Sequence, residues 1–494
     1  MKNSFKSFAI YLSATILIAG PGHATQPPDV VQSDAYGNTA MGTHALLNAA
    51  PPAPTDNTAA GENALYSNTT GEYNTAIGYS SMNFNTIGSE NTAAGYQALY
   101  LNTTGTNNSA FGTTALYSNT TGSYNTAAGD GALYYNTTGL YNTATGYQAL
   151  AFNLTGRDNA AMGFDALLKN STGSDNTASG FQALLNNTGG NENTATGFDA
   201  LISNTTGNSN TANGMNALFR NGTGSDNTAA GNNALYSNTG GSDNTASGNS
   251  SLYTNTIGGQ NTASGAFSLY ANTIGSNNSA FGPYALAHNT SGNANVAVGW
   301  DALKNSKAGS NNVALGYSAG SLLSEGSNNA YIANAGEGDE SGVIRIGTPT
   351  TQTSTYIAGI ENSKVTGAIV YVTSKGQLGV LASSERYKTG ITSMGSNTEK
   401  LQKLRPVTFH LKAEPHGEVQ YGLIAEEVAK IYPELVIRDD AGRIQGVRYD
   451  ELAPMLLNEV QQQRNQLQDM KQQLADMQAT LLKLQTHEDR VAMR

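Results

Sequence analysis

A mainly β fold is predicted for this 494-residue chain: a β-solenoid or β-roll of 17-residue coils, a β-rich connector, and a small α+β domain ending in a coiled coil. Three observations lead there. Only 12% of the residues are charged and 56 are glycine, a composition unlike that of a conventional globular enzyme. Asparagines recur in unbroken steps of 17 from Asn57 to Asn329. Near the C-terminus, apolar residues recur every seven positions.

Residues 1–24 read as a signal peptide. Lys2 and Lys6 precede an apolar run from Phe8 to Ala19, and the small residues Gly22 and Ala24 place cleavage at Ala24/Thr25. The run is too short for a membrane span and is broken by Ser13 and Thr15, and no later segment is long and apolar enough to cross a bilayer. The expected location is therefore extracellular, secreted or at a cell surface. Without cysteine there is no disulfide or thiolate metal site, so stability there must come from packing or oligomerisation. The net charge of -11 argues against a nucleic-acid partner. Fifteen of the 25 basic residues lie from Ser383 onward, so the chain changes character at that point. No metal-ligand or cofactor-binding pattern is present.

After an N-terminal segment with a Pro-rich insertion (25–56), residues 57–333 follow the form N-T-A-x-G-x-x-A-L-x-x-N-T-T-G-x-x. The fifth position is glycine from Gly61 to Gly316, and the ninth is Leu or Met from Leu65 to Leu303. Seventeen residues with two turn signals suit one solenoid coil of two short strands, with Ala and Gly at close approaches and Leu inside. Seventeen such coils at about 4.8 Å each make a rod of roughly 80 Å. A coil this slender buries little apolar surface, which favours a homotrimer. The stretches "NTAAGYQAL" and "NNVALGYSAG" resemble the head repeats of trimeric bacterial surface fibres and adhesins over residues 38–333. The resemblance implies a trimeric fibre that binds a surface ligand, a cell-surface glycan being one candidate. Such adhesins end in a membrane-anchoring β-barrel, whereas this chain ends in a polar helix.

Turn chemistry accounts for the many Asn-x-Thr triplets without glycosylation. Tyr66, Tyr100, Tyr117, Tyr134, Tyr236, Tyr253 and Tyr270 share the tenth position and are expected to stack. Packing between coils or chains explains such a ladder more simply than a carbohydrate platform does. Threonines at the second position resemble the flat arrays of ice-binding solenoids, a weaker alternative. A glycan hydrolase is disfavoured because no pair of carboxylates recurs at fixed positions.

The connector (334–382) carries "SGVIRIGTPTTQTSTYIAGI" and "GAIVYVTSKGQLGVL", which read as strands. In the domain at 383–452, "NTEKLQKL" has helical spacing, and Leu423, Val428, Ile431 and Leu435 fall on or near one helical face. The coiled coil (453–487) has Val460, Leu467, Leu474 and Leu481 seven residues apart. Leu456, Met470, Met477 and Leu484 take the complementary position, and Gln463 is the one polar residue in the seam. The bland alternative is a single amphipathic helix docked on its own domain.

Charge returns in "LASSERYKTGI", residues 381–391. The order S-S-E-R-Y-K-T-G-I, "LRPVTFHLK", "YGLIAEEV", terminal coiled coil resembles the intramolecular chaperone auto-processing domain of phage endosialidases, tail spikes and fibres over residues 383–485. A related domain occurs in the animal myelin regulatory factor. In that family a serine and a lysine five residues later form the catalytic dyad, which carries over to Ser383 and Lys388, with cleavage between Ala382 and Ser383. The family commonly has Asp after the serine; Ser384 stands there, so which serine attacks is left open between Ser383 and Ser384. A lysine serves as base when burial lowers its pKa, and Ser383 then attacks the Ala382 carbonyl in an N-to-O acyl shift that water resolves. Without the family, a Ser and a Lys at this spacing would carry little weight. Arg386 reads as a structural ion-pair residue, and His410 and His416 as surface or core residues.

Overall fold

A computed structural model describes residues 32–49, 54–349, 351–358, 369–373, 376–380, 382–439 and 441–492. The signal-peptide reading of residues 1–24, and residues 50–53 of the Pro-rich insertion, lie outside it. The chain divides into two units, Met1–Ser354 and Thr355–Arg494.

The first unit is a β-solenoid. Each coil gives one three-residue strand, from Thr39–Met41 to Ile344–Ile346, stacked in a 20-stranded sheet in which only Gln32–Ser33 runs antiparallel. Pairing is one coil per step, as in Thr177↔Thr194 and Ala178↔Ala195. The middle residue of each strand points inward, so alanines at the third and eighth positions and leucine at the ninth form one continuous core. The period ends near residue 333 but the sheet does not, because Ile344–Ile346 pairs with Ala330–Ile332 as a last coil.

Two strands per coil are expected from the sequence; the structure has one. The segment expected to be the second strand contains left-handed residues at the seventh and ninth positions, such as Asp165 (φ 54) and Leu167 (φ 53), which curl the chain instead of extending it. A left-handed leucine costs about 1–2 kcal/mol. Its complete burial offsets this by about 1.5–3 kcal/mol, and Leu167 is fully buried. The fifth-position glycine cannot be replaced cheaply: Gly163 has φ +138, and a methyl there would collide with the carbonyl of Gly180 in the next coil.

Two columns of buried asparagine connect the coils. At the first position, Asn176 accepts the backbone N–H (3.0 Å) and side-chain amide (3.1 Å) of Asn193 on its Oδ1. Its own Nδ2 donates to Asn159 Oδ1 (3.1 Å) and to Gly190 O (2.9 Å). At the twelfth position, Asn187 Nδ2 donates to Asn170 Oδ1 and to the same Gly190 carbonyl, both at 2.9 Å. The Asn-x-Thr triplets therefore act as turns. Asn68 of Asn68-Thr69-Thr70 is fully buried, with Nδ2 donating to Gly71 O at 2.9 Å, so no glycan fits on it in the folded coil.

The second unit opens with the hairpin Val370–Val372/Leu378–Val380. It continues through 3-10 turns to the hairpin Val407–Phe409/Gln420–Gly422, helix α1 (Ala425–Ile431), the hairpin Val436–Arg438/Ile444–Val447 and helix α2 (Tyr449–Ala492). Leu401, Val428, Tyr432, Leu435, Val436 and Val447 form a small core. "NTEKLQKL" forms two 3-10 turns, Gly395–Thr398 and Leu401–Lys403, and not an α-helix. Helix α1 is also shorter than its apolar spacing suggests. Tyr432 leaves helical geometry before Pro433, so Leu435 reaches the core from a following 3-10 turn.

Replacing Asn176 by alanine would strand the buried N–H groups of Asn193. We expect local opening around residues 159–193 to become easier by on the order of 3 kcal/mol, read as faster amide exchange there. Thr177→Ala, on the outward face, should leave exchange unchanged.

Candidate functional site

Ser383 and Lys388 flank a single 3-10 turn, Glu385–Tyr387, that follows the Val370–Val372/Leu378–Val380 hairpin. The turn is closed by Tyr387 N–H donating to Ser384 O (3.0 Å) and Lys388 N–H donating to Glu385 O (2.9 Å). Ser384 and Lys388 are both extended, with ψ of 142 and 145, so the chain enters and leaves the turn as open strand. Every residue from Ala382 to Thr389 is exposed in the single chain. Among the described residues, no hydrogen bond joins the Ser383 hydroxyl, the Ser384 hydroxyl and the Lys388 ammonium. The turn thus holds serine and lysine five residues apart but supplies none of the burial that a lysine base requires.

Arg386 was expected in an ion pair. Its guanidinium instead lies over the Tyr387 ring, 4.8 Å from the centroid. His410 Nδ1 lies 3.0 Å from Gly417 O in an exposed hairpin loop, and His416 is exposed in the same loop. Glu427 is clasped by Arg405 through Nε and Nη2 at 3.1 and 2.6 Å, which holds its carboxyl below the usual carboxylate range.

Among the described residues, only the first turns of α2 rest on their own domain. Asn458 Nδ2 donates to Gly395 O (2.9 Å) and Thr398 Oγ1 (2.7 Å), and Thr398 Oγ1 donates to Glu459 (3.2 Å). The heptad residues Val460, Leu467, Met470, Leu474, Met477, Leu481 and Leu484 are all more than half exposed. The seam is therefore not spent on docking α2 against its own domain.

The solenoid shows a similar contrast along its length. The outward strand positions are mostly Thr, Ser, Ala or Asn between Thr177–Ser179 and Thr262–Ser264. They become aliphatic in Val296–Val298, Val313–Leu315 and Ile344–Ile346, where Val313, Leu315, Ile344 and Ile346 are exposed. Of the expected tyrosine column, Tyr100, Tyr117 and Tyr134 stack about 5 Å apart, as do Tyr236, Tyr253 and Tyr270, whereas Tyr66 meets His44 edge-on. A second column, at the sixth position, went unread in the sequence: Tyr147, Phe164, Phe181 and Phe198 stack at 5.0–5.4 Å. The mixture of Tyr and Phe, with Met215 and Asn232 following, hid that periodicity.

Among the described residues no helix is long and apolar enough to cross a membrane. Residues 383–437 match the family model described as chaperone of endosialidase, and the match begins at Ser383 itself. No curated protein and no solved structure matches the chain.

The Arg405–Glu427 pair yields a pH prediction. A depressed carboxylate stabilises the fold above its unfolded pKa and loses that contribution as pH falls through the lower folded value. NMR titration of the Glu427 carboxyl should therefore give a midpoint below the ordinary glutamate value, about 4.3, returning toward it in Arg405→Gln.

Proposed function

We propose that three copies of this chain form an exported surface-binding fibre whose C-terminal domain aligns them and then cuts itself off before Ser383. The observation that carries this reading is the match to the chaperone family over residues 383–437. Its first residue is the serine of a Ser–Lys pair, and it lies where the charge-poor repeat region has given way to an ordinary domain. The exposed heptad seam of α2 and the aliphatic face of the last coils support it, since both are surfaces that further copies would cover.

In the proposed reaction Ser383 Oγ attacks the carbonyl carbon of Ala382 while Lys388 Nζ takes the hydroxyl proton. The Ala382–Ser383 C–N bond breaks, the lysine returns the proton to the departing amine, and an ester to Ser383 Oγ remains. Water then hydrolyses the ester, leaving a carboxylate on Ala382 and restoring the Ser383 hydroxyl on the released piece. One turnover per chain suffices, so slow chemistry is adequate. Ser384 occupies the place where the family commonly has Asp, and it is the alternative nucleophile. The second reading is a fibre whose terminal domain trimerises without cutting, which the exposed setting of Ser383 and Lys388 in one chain favours.

Intact-mass measurement of denatured protein separates the two readings. Wild type should split between Ala382 and Ser383, and Ser383→Ala and Lys388→Gln should remain whole. Splitting in Ser383→Ala moves the role to Ser384. A whole wild-type chain, trimeric by sedimentation, supports the passive aligner.

A further inference from the structure

The repeat's surface is interrupted at one place. Every other coil from the one opening at Asn57 to the one opening at Asn312 carries a side chain at the seventh position, but Gly131 does not. In the next coil, Ala151 ends the Tyr100–Tyr117–Tyr134 stack. These two deletions of side-chain bulk open a cavity of about 220 Å³. Its walls include three rings in a chain: Tyr134 meets Tyr135 edge-on at 4.6 Å, and Tyr135 stacks on Phe152 at 5.0 Å. Thr114, Asp130 and Gln148 supply the polar lining. Their backbones are fixed by the coil-to-coil ladder, with Gln148 N–H donating to Asp130 O at 2.9 Å and Thr114 N–H donating to Tyr96 O at 2.9 Å. Among the described residues, no hydrogen bond or ion pair within the chain engages their side-chain hydroxyl, carboxylate or carboxamide.

We propose that this notch is a binding subsite for one neutral hexopyranose unit of a polysaccharide. It is smaller than the roughly 300–1,000 Å³ of ordinary small-molecule pockets, which suits a single ring of a longer ligand. Exposed Tyr135 and Phe152 offer flat faces to the C–H face of a pyranose. The carboxylate and carboxamide accept from and donate to ring hydroxyls, which are the groups a sugar presents at its edge. Asp130 and the absence of any cation from the lining exclude sialic and uronic acids. The inference deepens the surface-binding part of the proposed function and is independent of cleavage. If three copies align, each fibre carries three such subsites, and weak binding at each sums to useful avidity.

The test uses the full chain. Saturation-transfer NMR with lactose, cellobiose and N,N′-diacetylchitobiose, with sialyllactose as anionic comparator, is run on wild type, Tyr135→Ala/Phe152→Ala, Gly131→Asn and Tyr253→Ala. Gly131→Asn fills the notch with the residue that Asn216 and Asn233 place at the same left-handed position, so its coil should still form. At least one neutral disaccharide should bind wild type and Tyr253→Ala alike, and should bind the other two variants at least about tenfold more weakly. No neutral binding, binding of sialyllactose alone, or equal loss in Tyr253→Ala overturns the subsite. Adsorption of labelled fibre to intact bacterial and epithelial cells separates this from the broader reading. Adsorption untouched by Gly131→Asn removes the notch and keeps surface binding, whereas sugar binding without adsorption keeps the notch and removes surface binding.

Discussion

The Gly190 carbonyl, and its equivalent in the coils opening at Asn57 to Asn278, receives an amide proton from both asparagine columns, one from Asn176 and one from Asn187. This shared acceptor ties the two ends of the turn to each other, and each asparagine also reaches the coil before it. The bonds are fully buried, so an asparagine lost from either column would strand amide groups without water. The first column tolerates other coil lengths at the two ends of the period: Asn57 still donates to Asn38 Oδ1 across 19 residues, and Val343 N–H to Asn329 Oδ1 across 14. The glycine is required as well: a Cβ on Gly190 would press on both Asn187 and the next coil's Gly207 carbonyl.

Across the coils opening at Asn57 to Asn278, where both columns run unbroken, the repeat is nearly degenerate in register. There each coil can stack on any other at nearly the same energy, both within a chain and between copies, because the bonding columns are the same. Side chains outside the columns break the degeneracy weakly, through local runs of stacked rings and the aliphatic outward face of the last coils. A separate domain that fixes alignment first is the physical complement of such a repeat. Residues 383–437, which follow the repeat in sequence, match the family model described as chaperone of endosialidase.

The period and the buried Ala and Leu positions were legible because each is a column of nearly one residue type, and the tenth-position tyrosines because they recur in short runs. The burial of the asparagine columns was not, since Asn-Thr stretches also serve as turn signals. The single strand per coil was not legible either. Extended sequence and a left-handed turn both use Leu flanked by polar residues, and only the packing of neighbouring coils forces Leu167 to φ 53. "NTEKLQKL" misled for a related reason: Thr398 is buried and bonded to Asn458 and Glu459 of α2, a tertiary claim on the backbone that local spacing does not reveal. Ser383 and Lys388 are singled out as a pair only by family resemblance, since two common polar residues five apart carry no periodic signal. The notch at Gly131 is a departure from the repeat, and periodicity alone does not reveal it.

The exposure of the Ser383–Lys388 turn has a mechanistic consequence under the proposed reading. A lysine serves as a base where burial favours its neutral form, and Lys388 is exposed in the single chain, so one folded chain does not supply the setting the proposed reaction needs. Desolvation has to be supplied by something else, and the exposed heptad residues of α2 provide the means to bring further copies close. Chemistry that waits for assembly cannot cut an unaligned chain, so alignment precedes loss of the aligner. The order then follows from burial alone and needs no additional switch.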